Sequence, residues 1–123
     1  MTTKPMKTKR LLIADDNAVT RELLVRLLQP MGVRVDIAVN GNQALKKIRG
    51  GYDLILLDWQ MPFADGGEIL RGLLAAKRRD ILDRMAVISG LSGGERLVPP
   101  GVKFFPKPFD LVELRRYIHE RLA

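Results

Sequence analysis

The chain has 123 residues, 46% of them hydrophobic, which is the size of one domain and enough apolar material for one buried core. It carries a formal net charge of +7 and no cysteine, which excludes a disulfide framework, a thiolate metal site and a cysteine nucleophile. Uninterrupted apolar runs reach only four residues, too short for a signal-peptide core or a membrane span, so a soluble, cytoplasmic protein with no membrane partner is expected.

Lys4, Lys7, Lys9 and Arg10 put four positive charges into an acid-free leading segment, and +3 remains without them. Residues 1–8 are expected to form a disordered basic tail before a folded unit spanning 9–123. Leu11 to Ala14 form an apolar run of strand length. Asp15, Asp16 and Asn17 then read as a turn and a helix N-cap. Leu23, Leu24, Leu27 and Leu28 fall on one helical face, and Pro30 with Gly32 stops that helix. Val33, Val35 and Ile37 alternate with Arg34 and Asp36, the pattern of a strand at a sheet edge.

Asn40 and Gly41 open a short helix through Ala44, Leu45 and Ile48, closed by Gly50 and Gly51. Leu54 to Leu57 offer no polar residue to either face, so this strand is central and ends at Asp58. Pro62 and Asp65-Gly66-Gly67 mark a loop before an amphipathic helix carrying Ile69, Leu70, Leu73 and Leu74. The basic cluster of Arg71, Lys77, Arg78, Arg79 and Arg84 is diluted by Asp80 and Asp83 and lacks interleaved aromatics, so nucleic acid is not an expected partner. Met85 to Ile88 make a fourth strand ending at Ser89, and Val102 to Phe105 a fifth ending near Lys107. Between them four glycines and Pro99-Pro100 leave room for only a turn or two of helix near Glu95 to Val98. After Pro108, Leu111, Leu114, Ile118 and Leu122 form an amphipathic helix whose His119 faces solvent.

Five strands alternating with helical segments predict an α/β fold, a doubly wound parallel sheet with right-handed crossovers and a shortened or missing fourth helix. Ligands of such sheets bind beyond the carboxyl ends of the strands. Asp15, Asp16, Asp58, Ser89 and Lys107 all stand at those ends. Three crowded carboxylates need a cation, and hard oxygen ligands suit Mg²⁺. Beside that metal Asp58 becomes a nucleophile toward a phosphoryl donor, while Lys107 and Ser89 serve the charge on the phosphoryl oxygens.

The Asp15-Asp16 pair, the run from Asp58 to Pro62 with Asp65-Gly66 after it, Ser89-Gly90, and Lys107-Pro108-Phe109 together resemble the response-regulator receiver family of two-component signalling. The resemblance runs from about Lys9 to the end. It implies the strand order 2-1-3-4-5, a cis Lys107-Pro108 peptide, and phosphoryl transfer to Asp58 from a histidine kinase or histidine phosphotransfer protein. It also implies that Asp16 and Asp58 bind Mg²⁺ directly, that the backbone carbonyl of Gln60 adds a ligand, and that Asp15 acts through water. Ser89 and Phe104 become the switch pair, with Phe104 turning into the space that Ser89 vacates on phosphorylation. On this reading the chain assists its own phosphorylation and dephosphorylation and is not a conventional enzyme. Its signal passes to a downstream protein target or a covalently linked output domain. The rival readings are a degenerate receiver that binds partners without phosphorylation, and a small enzyme or flavin protein on the same sheet. The acidic first loop, which has no phosphate-cradling glycine run, disfavours flavin.

Overall fold

The computed structural model describes residues 8–91 and 93–123. The basic tail expected at 1–8 therefore lies, but for Thr8, outside the described residues. Five parallel strands form one sheet: β1 (Arg10–Ala14), β2 (Arg34–Ala38), β3 (Leu54–Asp58), β4 (Met85–Ser89) and β5 (Lys103–Pro106). Their order is β2-β1-β3-β4-β5, as the resemblance implied. The helices are α1 (Ala18–Leu28), α2 (Gly41–Lys47), α3 (Gly66–Ala75), α4 (Arg79–Leu82) and α5 (Leu111–Leu122).

Local chemistry sets where the longer helices begin. Asn17, Asn40, Asp65 and Asp110 each stand in extended backbone and accept an N–H from the first turn that follows, at 2.8–3.0 Å. Each bond satisfies a donor that the helix itself leaves open.

Alternation along the strands divides the core into two layers. Leu11, Ile13, Leu54, Leu56, Ala86 and Ile88 face Leu24 and Leu28 of α1 and Leu114 and Ile118 of α5. On the other face Leu12, Ile55, Leu57 and Val87 meet Ala44, Ile69, Leu73 and the α4 residues Ile81 and Leu82. β3 and β4 are buried throughout, whereas β2 is mostly half-buried at the sheet edge.

Three details depart from the sequence expectation. Leu23, Leu45, Leu74 and Leu111 point outward and are 41–47% exposed, because each helix turns only one narrow stripe to the sheet. Arg10, whose charge was counted with the leading segment and whose strand was expected to begin at Leu11, is the first residue of β1. Its N–H donates to Asp53 at 2.8 Å, its guanidinium reaches Gly50 and Asp36, and it lies 4.7 Å over the Tyr52 ring. The unforeseen α4 follows Lys77, whose left-handed backbone ends the path of α3. The crossover from β4 to β5 was expected to be poor in helix, and it holds one 3₁₀ turn, Gly94–Arg96, with Pro99 and Pro100 preventing its extension.

Candidate functional site

Register assembles the site. Ala14 lies opposite Leu57, Asp58 opposite Ile88, and Ser89 opposite Pro106. The next residues along β1, β4 and β5, namely Asp15, Ser89 and Lys107, thus emerge at the same end of the sheet as Asp58. A main-chain bond from Lys107 N–H to the Ser89 carbonyl, 2.8 Å long, continues the ladder to the lysine. The following peptide, Lys107-Pro108, is cis.

Three of the predicted residues form one carboxylate cluster. Asp15, Asp16 and Asp58 each bring an oxygen within 4.8 Å of the others. Asp15 and Asp58 are 2% and 5% exposed, while Asp16 opens to solvent. The Lys107 ammonium stands 3.2 Å from Asp58 Oδ1 and 3.8 Å from Asp15 Oδ2. Among the described residues it is the only cation ion-paired with the cluster, so one positive charge faces three carboxylates. Burial above all, and then the charge of Asp15, push the Asp58 carboxyl up to about 6; Lys107 and the backbone N–H of Gln60 pull it the other way. An all-oxygen cluster with surplus negative charge is suited to a hard divalent cation.

The remaining candidates are held by different means. Ser89 is 1% exposed, and its Oγ accepts the Leu91 N–H at 3.0 Å, which leaves the hydroxyl proton free to donate. Gln60 is exposed and meets Asp58 through its main chain. Phe104 is half-buried with its ring on Gly94, where a Cβ would stand 2.7 Å from two ring carbons. Trp59, which follows Asp58, packs against the core and donates its backbone N–H to the Ile88 carbonyl. His119 is exposed on α5, away from the cluster, as its helical phase predicted.

Two supporting residues, Arg21 and Gly94, were not singled out by the sequence. Arg21 donates to the Asp15 carbonyl at 2.8 Å, and the Asn17 N–H donates to Asp15 Oδ1 at 2.8 Å. Together they fix the loop that presents both acids. The sequence signal for Arg21 is weak, a lone arginine one turn into an amphipathic helix. Gly94 is equally silent, since four glycines share its segment.

Comparison with known proteins gives one consistent answer. Residues 11–119 match the family described as response regulator receiver domain. Hybrid signal transduction histidine kinase K of Dictyostelium discoideum is 31% identical over 93% of this chain, which spans 10% of that protein. The CpxR homolog of Haemophilus influenzae, a transcriptional regulatory protein, is 44% identical over 85% of this chain, which spans 46% of it. Among solved structures, the receiver domain of a Pseudomonas aeruginosa sensor histidine kinase, with magnesium coordinated in its active-site cleft, has TM-score 0.77 and 27% identity, covering 93% of this chain and 97% of that one. TrrA of Thermotoga maritima, in complex with Mg²⁺ and BeF, has TM-score 0.74 and 30% identity, covering 93% of this chain and 99% of that one. With the strand order, the carboxylate cluster and these matches in agreement, the chain belongs to the response regulator receiver domains of two-component systems.

Proposed function

We propose that this receiver accepts a phosphoryl group on Asp58 from a histidine kinase or histidine phosphotransfer protein, and that the modification switches a protein-interaction surface. The observation that carries this reading is the Asp58 carboxylate, buried among two further aspartates and touched by the Lys107 ammonium at 3.2 Å. A carboxyl that titrates near 6 is mostly ionised at pH 7 and serves as the nucleophile. One Asp58 oxygen forms a bond to phosphorus as the bond to the donor nitrogen breaks, and the electron pair leaves with that nitrogen. Lys107 then offsets charge on a phosphoryl oxygen, and the free proton of Ser89 donates to another.

The fit to Mg²⁺ rests on this chain's own donors. Asp16 and Asp58 would hold the ion, with the Gln60 carbonyl as a third protein ligand and Asp15 acting through water. When bound, the ion neutralises charge on the cluster and on the transferring group. The magnesium-bearing receivers similar to this chain support the assignment.

Signal output follows from packing. Ser89 shifts toward the modified Asp58, and Phe104 leaves Gly94 for the space behind it, a change of population between two packings. On this reading the chain assists its own phosphorylation and dephosphorylation and is not a conventional enzyme. It acts in the cytoplasm on a downstream protein or a linked output domain. Kinases and transcriptional regulators both occur among its relatives.

Trp59 offers the test. Magnesium followed by beryllofluoride, a phosphoryl mimic, should change its emission in the wild type. The response to beryllofluoride should vanish in Asp58→Asn, and a persistent response in that variant would refute Asp58 as the acceptor.

A further inference from the structure

Away from the phosphoryl site, two clefts adjoin along the layer of α2, α3 and α4. The first, of about 290 Å³, lies between α2 and α3 over Leu45, Ile48, Ile69, Gly72 and Leu73, with Arg49 on its rim. The second, of about 60 Å³, shares Ile48 and Arg49 with it and continues past Tyr52 and Ile81 to Arg78 and Arg84. Leu45 is 47% exposed, and nothing stands within 4 Å of where a Gly72 side chain would begin. The result is a trough with an apolar upper half and a cationic lower end.

Charge at that end is only partly used. Arg78 is engaged through two nitrogens by Asp80, both at 3.0 Å, and forms a closed pair. Arg84 has one 3.4 Å contact to the Tyr52 carbonyl, and neither it nor Arg49 meets a carboxylate among the described residues. Two guanidinium groups are thus available for forked bonds to carboxylates, next to an apolar cleft that asks for aliphatic side chains. Nucleic acid suits the trough poorly. Its upper half offers apolar side chains in place of phosphate donors, and the Tyr52 ring lies under Arg10 with its hydroxyl bonded to Asp36.

We propose that the α2–α3–α4 trough docks an acidic amphipathic segment of a partner protein, its apolar side chains in the cleft over Leu45 and Gly72 and its carboxylates on Arg49 and Arg84. Arg84 and Tyr52 precede β4 and β3, while Asp58 and Ser89 end those strands, so the cationic end lies at the opposite pole of the sheet from the phosphoryl site. A segment docked there leaves Asp58 open. The inference does not depend on phosphorylation.

The test uses the full chain and a fluorescein-labelled peptide with leucines at helical i, i+3, i+4 spacing and glutamates elsewhere. Controls are a peptide of the same composition with scattered leucines, a single-stranded oligonucleotide, and phosphatidylglycerol vesicles. Saturable binding of the amphipathic peptide is expected, with amide shifts concentrated at Leu45, Ile48, Arg49, Gly72 and Arg84. Arg49→Glu/Arg84→Glu should weaken it at least about tenfold, and Leu45→Glu should weaken it separately. Both variants should retain wild-type circular dichroism. Absence of binding, unaltered affinity in the double variant, shifts centred on α5 or on the Asp58 end, equal binding of the scattered peptide, or a preference for the oligonucleotide or the vesicles would each overturn the proposal.

Discussion

The two ends of one sheet treat carboxylates in opposite ways. Toward the amino end, Asp36 in the middle of β2 receives the Tyr52 hydroxyl at 2.8 Å and the Arg10 guanidinium at 3.3 Å, and these contacts, the hydroxyl foremost, hold its carboxyl below the usual range. Asp53 accepts the Arg10 N–H there. At the carboxyl end, Asp58 is buried beside Asp15 with one lysine between them, and its carboxyl is pushed up to about 6. The Asp36 and Asp53 carboxylates at the first end are matched within the protein and serve stability. Those at the second are left in surplus, which costs stability and equips the site for a cation and an incoming phosphoryl group.

That contrast is broken most sharply by removing its cations. Lys107→Ala should slow phosphoryl incorporation from acetyl phosphate by about 100-fold or more, because no other side-chain cation among the described residues pairs with the cluster. Phosphorylation kinetics by mass spectrometry would read it. Arg10→Ala should leave that rate unchanged and cost about 1–3 kcal/mol in urea unfolding, since it loses a bond to the charged, part-buried Asp36 and the stacking on Tyr52 besides an exposed bond to Gly50. A drop in phosphorylation rate without loss of stability would erase the distinction between the two ends.

The pH dependence sharpens the same comparison. Asp58 titrates near 6 when folded against an ordinary 3.8, so its ionisation works against folding as pH rises from about 4 to 6, and the full penalty stands above 6. In EDTA, Asp58→Asn should therefore raise stability by about 1–3 kcal/mol at pH 8 and by nearly nothing at pH 4. Magnesium should narrow that gap at pH 8 by stabilising the wild type more than the variant. Asp36 carries the opposite sign. Its contribution is present above the ordinary aspartate range and fades as pH falls through the depressed value.

A smaller effect is expected beside the switch pair. Gly94→Ala should cost about 1–2 kcal/mol, since a Cβ there stands 2.7 Å from the far carbons of the half-buried Phe104 ring, which must shift. Near-ultraviolet circular dichroism should report the displaced ring. An unchanged spectrum and unchanged stability would mean that Gly94 does not set the resting position of Phe104.

The carboxyl end was far more legible in the sequence than the amino end. Asp58, Ser89 and Lys107 each follow an apolar run, and parallel register then brings such residues together without further information. Arg10 stands among other cations, and its partners Asp36 and Asp53 lie 26 and 43 positions away, so nothing local separates it from a solvated tail. The stunted crossover was visible because proline forbids helix by covalent geometry. The outward turn of Leu23, Leu45, Leu74 and Leu111 was not, because periodicity gives a face its direction but not its width. Likewise α4 depends on the left-handed backbone of Lys77, a conformation that lysine does not announce.

The most direct measurement is the intact mass of the protein after incubation with acetyl phosphate, with and without Mg²⁺, for the wild type and Asp58→Asn. Gain of one phosphoryl group by the wild type only when Mg²⁺ is present, and no gain by Asp58→Asn, is the predicted result. An unmodified wild type, or an Asp58→Asn variant modified to the same extent, would contradict the assignment of Asp58 as the acceptor.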